Sequence, residues 1–293
     1  MPYFDPLTGE TVDVTAIYGG AGNLQSEDLR TRTLSLTANP LPKYRLQLNL
    51  DYLENDLRNQ IGALPPPSSA VVAAFPDRFL RDASGTLILV DNRSVNFARQ
   101  RSEQVRFGVS FTVPLTGSVL VPPNREAGTA RRRIPPLNLQ VNASHTVLLS
   151  NTTVIREGLP EVDLLEGGAI GIGGGRQRHA TDFNLALTKG ATGLRLSARR
   201  HGASYLITGT QAEPDLLTFD PLTTVDLKIF ADLGQLFPSA KLAKDTRLTL
   251  AFDNLTNERQ RVRDIAGAVP QAFQPVRRDP VGRTVMFELR KVF

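Results

Sequence analysis

The chain has 293 residues, with 34 Lys and Arg against 29 Asp and Glu, and a formal charge of +5 at pH 7. It contains no cysteine, which excludes disulfides, thiolate metal sites and thiol catalysis. No run of about 18 apolar residues occurs, so no transmembrane helix is predicted. The only tight basic run is 131–133, and the basic, aromatic-rich patch of a nucleic-acid-binding protein is missing.

Apolar and polar residues alternate along most of the chain, as they do in strands with one dry and one wet face. In 105–113, for example, the odd-numbered residues are apolar, whereas a helix would need apolar residues three and four positions apart. The alternation predicts an all-β, antiparallel fold of about ten strands. These lie near 11–18, 29–38, 43–57, 95–113, 136–149, 179–189, 193–206, 222–232, 245–255 and 282–293. Short helical turns are predicted near 68–74 and 236–243.

The connections between these strands alternate in length. Long outer loops are predicted at 19–28, 58–94, 150–178, 207–221 and 256–281. Mostly shorter inner turns are predicted at 39–42, 114–135, 190–192 and 233–244, with 114–135 as the exception. This asymmetry is typical of outer-membrane β-barrels, in which the apolar face meets lipid and the polar face lines the lumen. The polar face would carry Arg45, Asp51, Arg106, Asp182, Arg195, Arg199, Asp226, Lys228, Arg247, Asp253, Glu288 and Arg290.

The C-terminal region resembles the TonB-dependent receptors of the Gram-negative outer membrane. The resemblance is carried by the penultimate strand Leu250-Ala251-Phe252-Asp253-Asn254-Leu255-Thr256-Asn257 and by the loop and strand that follow, with Arg261-Val262-Arg263-Asp264, Phe273-Gln274-Pro275, Asp279-Pro280-Val281-Gly282-Arg283 and Arg290-Lys291-Val292-Phe293. Upstream, Phe75-Pro76-Asp77-Arg78-Phe79 and Asp163-Leu164-Leu165 look like a subgroup of the same receptors. The resemblance covers most of the chain from about residue 43 onward.

The resemblance implies that 1–293 is the C-terminal part of a transmembrane β-barrel in the cell outer membrane. The family's plug domain, TonB box and signal peptide have no counterpart in the sequence. The intact receptor would take up a scarce nutrient, such as a siderophore or a glycan, and only that full-length protein would engage the TonB complex. The fragment alone is expected not to transport. The terminal Phe293 resembles the signal read by the barrel assembly machinery, and outer-membrane lipid and lipopolysaccharide are the other expected partners.

Two other functions stay open on the sequence. One is a small self-contained outer-membrane pore of ten strands, since an even strand number is permitted. The other is a soluble secreted β-sandwich that acts as a binding module, because period-two alternation alone does not distinguish lipid from a second sheet as the apolar partner.

Candidate binding residues concentrate in the last outer loop, where Arg261, Arg263, Arg277 and Arg278 could form an electropositive mouth that attracts an anionic ligand. A solvated loop or one in contact with anionic lipopolysaccharide would have the same composition. His145, His179 and His201 are scattered, and no metal site or cofactor is predicted. No Gly-x-Ser-x-Gly elbow or other catalytic constellation occurs, so an enzyme is not expected.

Overall fold

Nine long strands form one continuous antiparallel sheet in the computed structural model, which describes residues 1–65, 69–121, 132–168, 170, 175–209 and 214–292. Each strand pairs with the next one along the chain. A tenth strand of two residues, Val162–Asp163, pairs with the fourth. The nine are β1 (Asp28–Leu41), β2 (Leu46–Gly62), β3 (Val95–Pro114), β4 (Leu137–Val154), β5 (His179–Lys189), β6 (Thr192–His201), β7 (Leu222–Asp232), β8 (Thr246–Asp253) and β9 (Thr284–Lys291).

The two ends of the sheet differ as the sequence predicts. At one end, here called the loop end, the strands are joined by the long connections 63–94, 155–178, 202–221 and 254–283. At the other, the turn end, the connections are 42–45, 115–136, 190–191 and 233–245. The long exception at the turn end contains a hairpin of its own, in which Val119–Val121 pairs with Arg132–Ile134. Antiparallel order and alternating connection lengths are therefore confirmed.

Nine of the ten predicted strands correspond to β1–β9, but the strand predicted at 11–18 is wrong. That stretch forms two short strands that lie outside the large sheet. Glu10–Asp13 pairs with Pro2–Asp5, and Thr15–Ile17 runs parallel to Leu87–Asp91. The apolar residues that suggested a strand serve local packing instead, since Val14 is buried among residues of the first long loop.

The remaining elements are short and lie mostly at the loop end. Phe79–Arg81 pairs with Leu87–Asp91, and Ser204–Gly209, Pro214–Phe219 and Val262–Arg263 form a three-stranded sheet. The helices are α1 (Ser69–Ala74), α2 (Leu233–Leu236) and α3 (Pro275–Arg278). Single 3-10 turns occupy Pro42–Tyr44, Pro76–Arg78, Lys241–Ala243 and Gln271–Phe273. Within the described residues, no helix is long and apolar enough to cross a bilayer.

The buried apolar core lies in the loops rather than on the sheet. Its main cluster joins Val14 from the N-terminal segment to residues of 63–94, the start of β3 and the residue after β4, among them Phe75, Leu87, Val90 and Ile155. A second cluster contains Leu217, Phe219 and Val262. Both lie beyond the loop end, so the loops form a packed layer there. Neither cluster covers the broad faces of the sheet.

Lys291 interrupts the apolar alternation of β9, and its contacts explain why. The Lys291 ammonium donates hydrogen bonds to the carbonyl oxygens of Leu242 and Lys244 and to the hydroxyl of Thr246, at 2.9, 3.1 and 3.3 Å. Leu242 and Lys244 belong to the connection between β7 and β8, and Thr246 is the first residue of β8. The charge therefore ties the turn end together instead of standing exposed on the apolar face.

The direction of the edge strands limits how the sheet can be completed. β1 and β9 both run from the loop end to the turn end, because seven antiparallel strands lie between them. Direct pairing of β1 with β9 would therefore be parallel. Among the described residues both outer edges are without a partner strand.

A buried ion pair adds to the strand pairing and apolar packing that hold the N-terminal segment to the loop layer. The Asp5 carboxylate is 1% exposed and accepts two hydrogen bonds from the Arg81 guanidinium, at 2.7 and 2.8 Å. The hydrogen bonds from Arg81 lower the pKa of Asp5 below its ordinary value. A carboxylate with a lowered pKa stabilises the folded state above its ordinary pKa, and this contribution is lost as the pH falls below about 4.

We expect Arg81→Met to loosen residues 2–17, because it leaves a buried carboxylate without a counter-charge. The cost of removing one partner of a buried pair is about 3–5 kcal/mol. Amide hydrogen exchange of residues 2–17 measures it. The double variant Asp5→Leu/Arg81→Met is the control and should restore much of the protection. Equal exchange in the wild type and Arg81→Met would contradict the assignment.

Candidate functional site

One face of the large sheet is apolar from edge to edge, because the hydrogen-bonded register places apolar residues opposite one another in every pairing. Two neighbouring rows of apolar residues each cross the seven strands from β3 to β9. The first consists of Phe111, Val141, Leu185, Leu196, Leu227, Phe252 and Val285, and the second of Val113, Leu139, Leu187, Leu194, Ile229, Leu250 and Phe287. We call this side of the sheet the apolar face.

The side chains of the apolar face are half-buried by their neighbours in the sheet or exposed, and the most exposed lie on several strands. Leu34 on β1 is 72% exposed, Phe107 on β3 is 52% exposed and Phe287 on β9 is 67% exposed. A contiguous apolar surface of this kind marks contact with another protein or with a membrane. Within the described residues, the buried clusters lie in the loops and leave this face uncovered.

The apolar face forms a band of limited height. On β3 it extends over about nine residues, Val105–Val113, close to the roughly 9–11 residues with which a tilted strand crosses the hydrocarbon of a bilayer. Towards the loop end the same side of β1–β3 becomes charged, beginning with Arg32, Glu54 and Glu103, which lie on one row. Tyr52 stands directly below this change and donates a hydrogen bond to Glu103 at 3.3 Å.

The upper edge of the band runs obliquely across the sheet. On β1 the last apolar residue is Leu34, on the row of Tyr52 and Val105. On β9 it is Val285, on the row of Phe111. The edge thus descends by about six residues over eight strand-to-strand steps, a slope of roughly 30° at the usual β-sheet spacings. Strands of β-barrels tilt by a similar angle, about 35–45°, so the band would lie level in a sheet tilted in that way.

The charged residues above the band on β1–β3 neutralise one another, and we call them the ion-pair collar. Arg99 binds the Asp56 carboxylate through two hydrogen bonds of 2.7 and 2.8 Å. Arg32 and Arg101 share Glu54, and Arg101 also pairs with Glu103 at 2.7 Å. In the sequence, the collar appears only as a change from apolar to charged residues at Glu54. The ion pairs themselves could not be predicted from the sequence.

The opposite side of the sheet, the polar face, carries the predicted polar residues on its strands. A concavity of about 500 Å³ lies at its centre, lined by residues that include Asp51, Arg106, Ser144, Asp182 and Asn184. Register places Asp182 opposite Arg199, and their side chains pair at 3.4 Å. The exception is Arg45, which follows the Pro42–Tyr44 turn in the left-handed backbone conformation and is not on a strand. Because of this turn, β2 begins at Leu46 rather than at the predicted residue 43.

Near the turn end of the polar face, two arginines flank one aromatic ring. The guanidinium carbons of Arg195 and Arg247 lie 5.3 and 5.0 Å from the centre of the buried Phe230 ring. Cation–π contacts of this kind hold long side chains against the sheet. This face is therefore polar, with charges of both signs fixed by neighbours.

The arginines predicted as an anion-binding mouth lie together in the last long loop, but they have different roles. Arg263 pairs with Asp220 at 2.5 Å. The guanidinium of Arg278 lies over the rings of Phe219 and Phe273, 5.2 and 5.8 Å from their centres.

Arg261 and Arg277 are exposed and form no ion pair with any described residue. Arg278 is exposed as well and has no carboxylate partner among the described residues, but its guanidinium is held against two rings. The sequence could place all four arginines in one loop, but it could not show which of them have contacts within the loop.

Two further features from the sequence are the terminal Phe293 and the absence of a predicted metal site. Phe293, the proposed assembly signal, lies outside the described residues. Within the described part of the chain, His, Asp and Glu residues do not assemble into a group of three that could hold a metal ion.

Comparison with known proteins gives only distant similarities. No protein-family model matches the chain, and no curated protein matches it. Two variants of the ferric enterobactin receptor from Pseudomonas aeruginosa are similar in structure, each with a TM-score of 0.49 and with 14% and 15% sequence identity. The alignments cover 93% of this chain and 32% of each receptor chain. The similarity is one of backbone alone, and the chain spans about a third of the length of either receptor.

We expect Arg278→Ala to loosen the last loop, because it removes the cation from between two aromatic rings. The expected cost is about 1 kcal/mol. Arg277→Ala, one residue earlier in the same short helix, is the matched control and should have no effect on stability. Hydrogen exchange of 254–283 compares the two. Equal protection in both variants would show that Arg278 has no structural role in the loop.

Proposed function

We propose that this chain forms part of the wall of an outer-membrane β-barrel of the TonB-dependent receptor type. The observation that carries the proposal is the apolar band, which is exposed, about as high as a hydrocarbon layer and bounded above by charged residues. Transfer of such a face from water to lipid is favourable by roughly 25 cal/mol per Å² of apolar surface. The alternating strands, with long loops at one end, fit the same class of barrel.

Within such a barrel, the polar face would line the lumen and the loop layer would face the cell exterior. The resemblance of the C-terminal region to TonB-dependent receptors gives the full protein a role in the uptake of a scarce nutrient, with the TonB complex engaged only by that full protein. Arg261 and Arg277 favour an anionic ligand, because they are exposed and not neutralised. By the same resemblance, Phe293 would be read by the barrel assembly machinery.

The strand directions argue against the small self-contained pore. Bacterial outer-membrane barrels are antiparallel throughout and have an even number of strands. Because β1 and β9 run in the same direction, a barrel of this type needs an odd number of further strands between them. A second copy in the same orientation would present β9 to β1, again in parallel. In a barrel of this type, the rest of the wall would therefore come from strands of another sequence.

The soluble β-sandwich is also disfavoured. A sandwich buries the apolar side of its sheet against a second sheet about 10 Å away. The other described sheets have two or three strands and belong to the loop layer or the turn-end hairpin, so the apolar face remains exposed. Solubility without detergent at high concentration would favour this alternative over ours.

We expect Val109→Arg to destabilise the chain in lipid much more than Ser110→Arg on the same strand. Val109 pairs with Leu48 on the apolar face, whereas Ser110 pairs with Gln47 on the polar face. A charge at the middle of a lipid-facing strand costs about 2–4 kcal/mol, whereas a charge on the lumen side is tolerated. Urea titration of the chain in phosphatidylcholine vesicles measures both. Equal destabilisation by the two substitutions would contradict a lipid-facing band.

We also expect the chain alone to support neither TonB-dependent uptake nor a stable single-channel conductance in planar bilayers, because the wall is open. Ligand accumulation by outer membranes that contain only this chain would refute the first expectation. Uniform conductance steps would instead support the self-contained pore.

A further inference from the structure

A second group of basic residues lies at the upper edge of the band, away from the ion-pair collar. One hydrogen-bonded row places His145 on β4 opposite Thr181, Thr181 opposite Arg200, and Arg200 opposite Thr223. His179 stacks on His145, with the ring centres 5.5 Å apart. These side chains point to the same side of the sheet as Phe107, which is paired with His145.

The polar contacts of this group are with hydroxyls and with each other. Nδ1 of His145 lies 2.8 Å from the hydroxyl of Thr181, and its Nε2 lies 3.4 Å from Nδ1 of His179. Arg200 donates to the hydroxyl of Thr223 at 3.2 Å. The nearby carboxylate of Glu166 is already paired with Arg178 at 2.8 Å. No described carboxylate lies within ion-pair distance of His145, His179 or Arg200.

This lack of neutralisation distinguishes the group from the collar. Arg32, Arg99 and Arg101 lie above the band on β1 and β3, and each has a carboxylate partner. The Arg200 charge has none within the described residues, and the outer nitrogen of His179 makes no bond there. Two strand spacings, about 10 Å, separate the backbones of His145 and Arg200.

The surface directly below the group is apolar. The next row consists of Val109, Ala143, Phe183, Ala198 and Val225. An anionic group bound above this row would therefore carry its hydrocarbon chains against the band. The charged group thus lies above an apolar surface, as the headgroup of a lipid lies above its hydrocarbon chains.

We propose that His145, His179 and Arg200 bind the phosphate of an anionic lipid headgroup, with Thr181 and Thr223 as further hydrogen-bond partners. The proposal rests on the proposed function, since it requires the apolar face to lie in a bilayer. Arginine supplies a permanent charge and planar donors that suit phosphate oxygens. Each imidazole carries an N–H donor in either protonation state.

The test uses the full chain inserted into phosphatidylcholine vesicles that contain a trace of spin-labelled lipid. Electron paramagnetic resonance compares the association of labelled phosphatidylglycerol with that of labelled phosphatidylcholine. We expect a preference for phosphatidylglycerol that Arg200→Gln reduces about fivefold, the effect of one surface cation near anionic lipid. The double variant His145→Gln/His179→Gln should give a smaller reduction.

The matched control is Arg99→Gln/Asp56→Asn, which removes an arginine of the collar together with its partner and should leave the preference unchanged. Insertion is measured separately, by protection of the strands from added protease. Insertion without a headgroup preference, or an equal loss in the control, overturns the lipid site and leaves the proposed function standing. A chain that fails to insert overturns both.

Discussion

The constraint on which the structure depends is the register of the pairings between the nine long strands, which is interrupted only by short irregularities at Ala38–Leu41 on β1 and Leu148–Ser150 on β4. Because side chains alternate with period two, a slip of one residue in any pairing would turn the apolar residues of that strand to the polar face. The rows through Phe111 and Val113 show no such slip. The apolar face is therefore a collective property of the sheet, and its exposure requires an apolar environment outside the chain.

This constraint separates the molecule into two parts held together differently. The loop layer has its own buried clusters around Val90 and Val262, and the Asp5–Arg81 ion pair anchors the N-terminal segment to it. The sheet has backbone pairing and an exposed apolar face. The boundary between the two is marked by a change in charge, neutralised on β1–β3 and left unneutralised around Arg200.

The sequence predicts what depends on short-range pattern. Nine strands, the alternation of long and short connections and the two helical turns follow from it. The strand at 11–18 was wrong because Val12, Val14 and Tyr18 also alternate, and period alone does not tell a sheet partner from a loop core. Lys291 interrupts the apolar alternation of β9, and the reason, its hydrogen bonds to the turn before β8, is visible only in the folded structure. The contacts of Arg263 with Asp220 and of Arg278 with Phe219 likewise depend on residues distant in sequence.

The measurement that tests the account most directly is a single-cysteine scan of 104–114 on β3 in vesicles, which the absence of native cysteine makes clean. Each variant is treated with a water-soluble and with a lipid-soluble maleimide. The account predicts alternation, with odd positions from Val105 to Val113 labelled only from the lipid phase and even positions labelled from water. Labelling from water at the odd positions would show that the apolar face does not lie in a bilayer and would contradict the account.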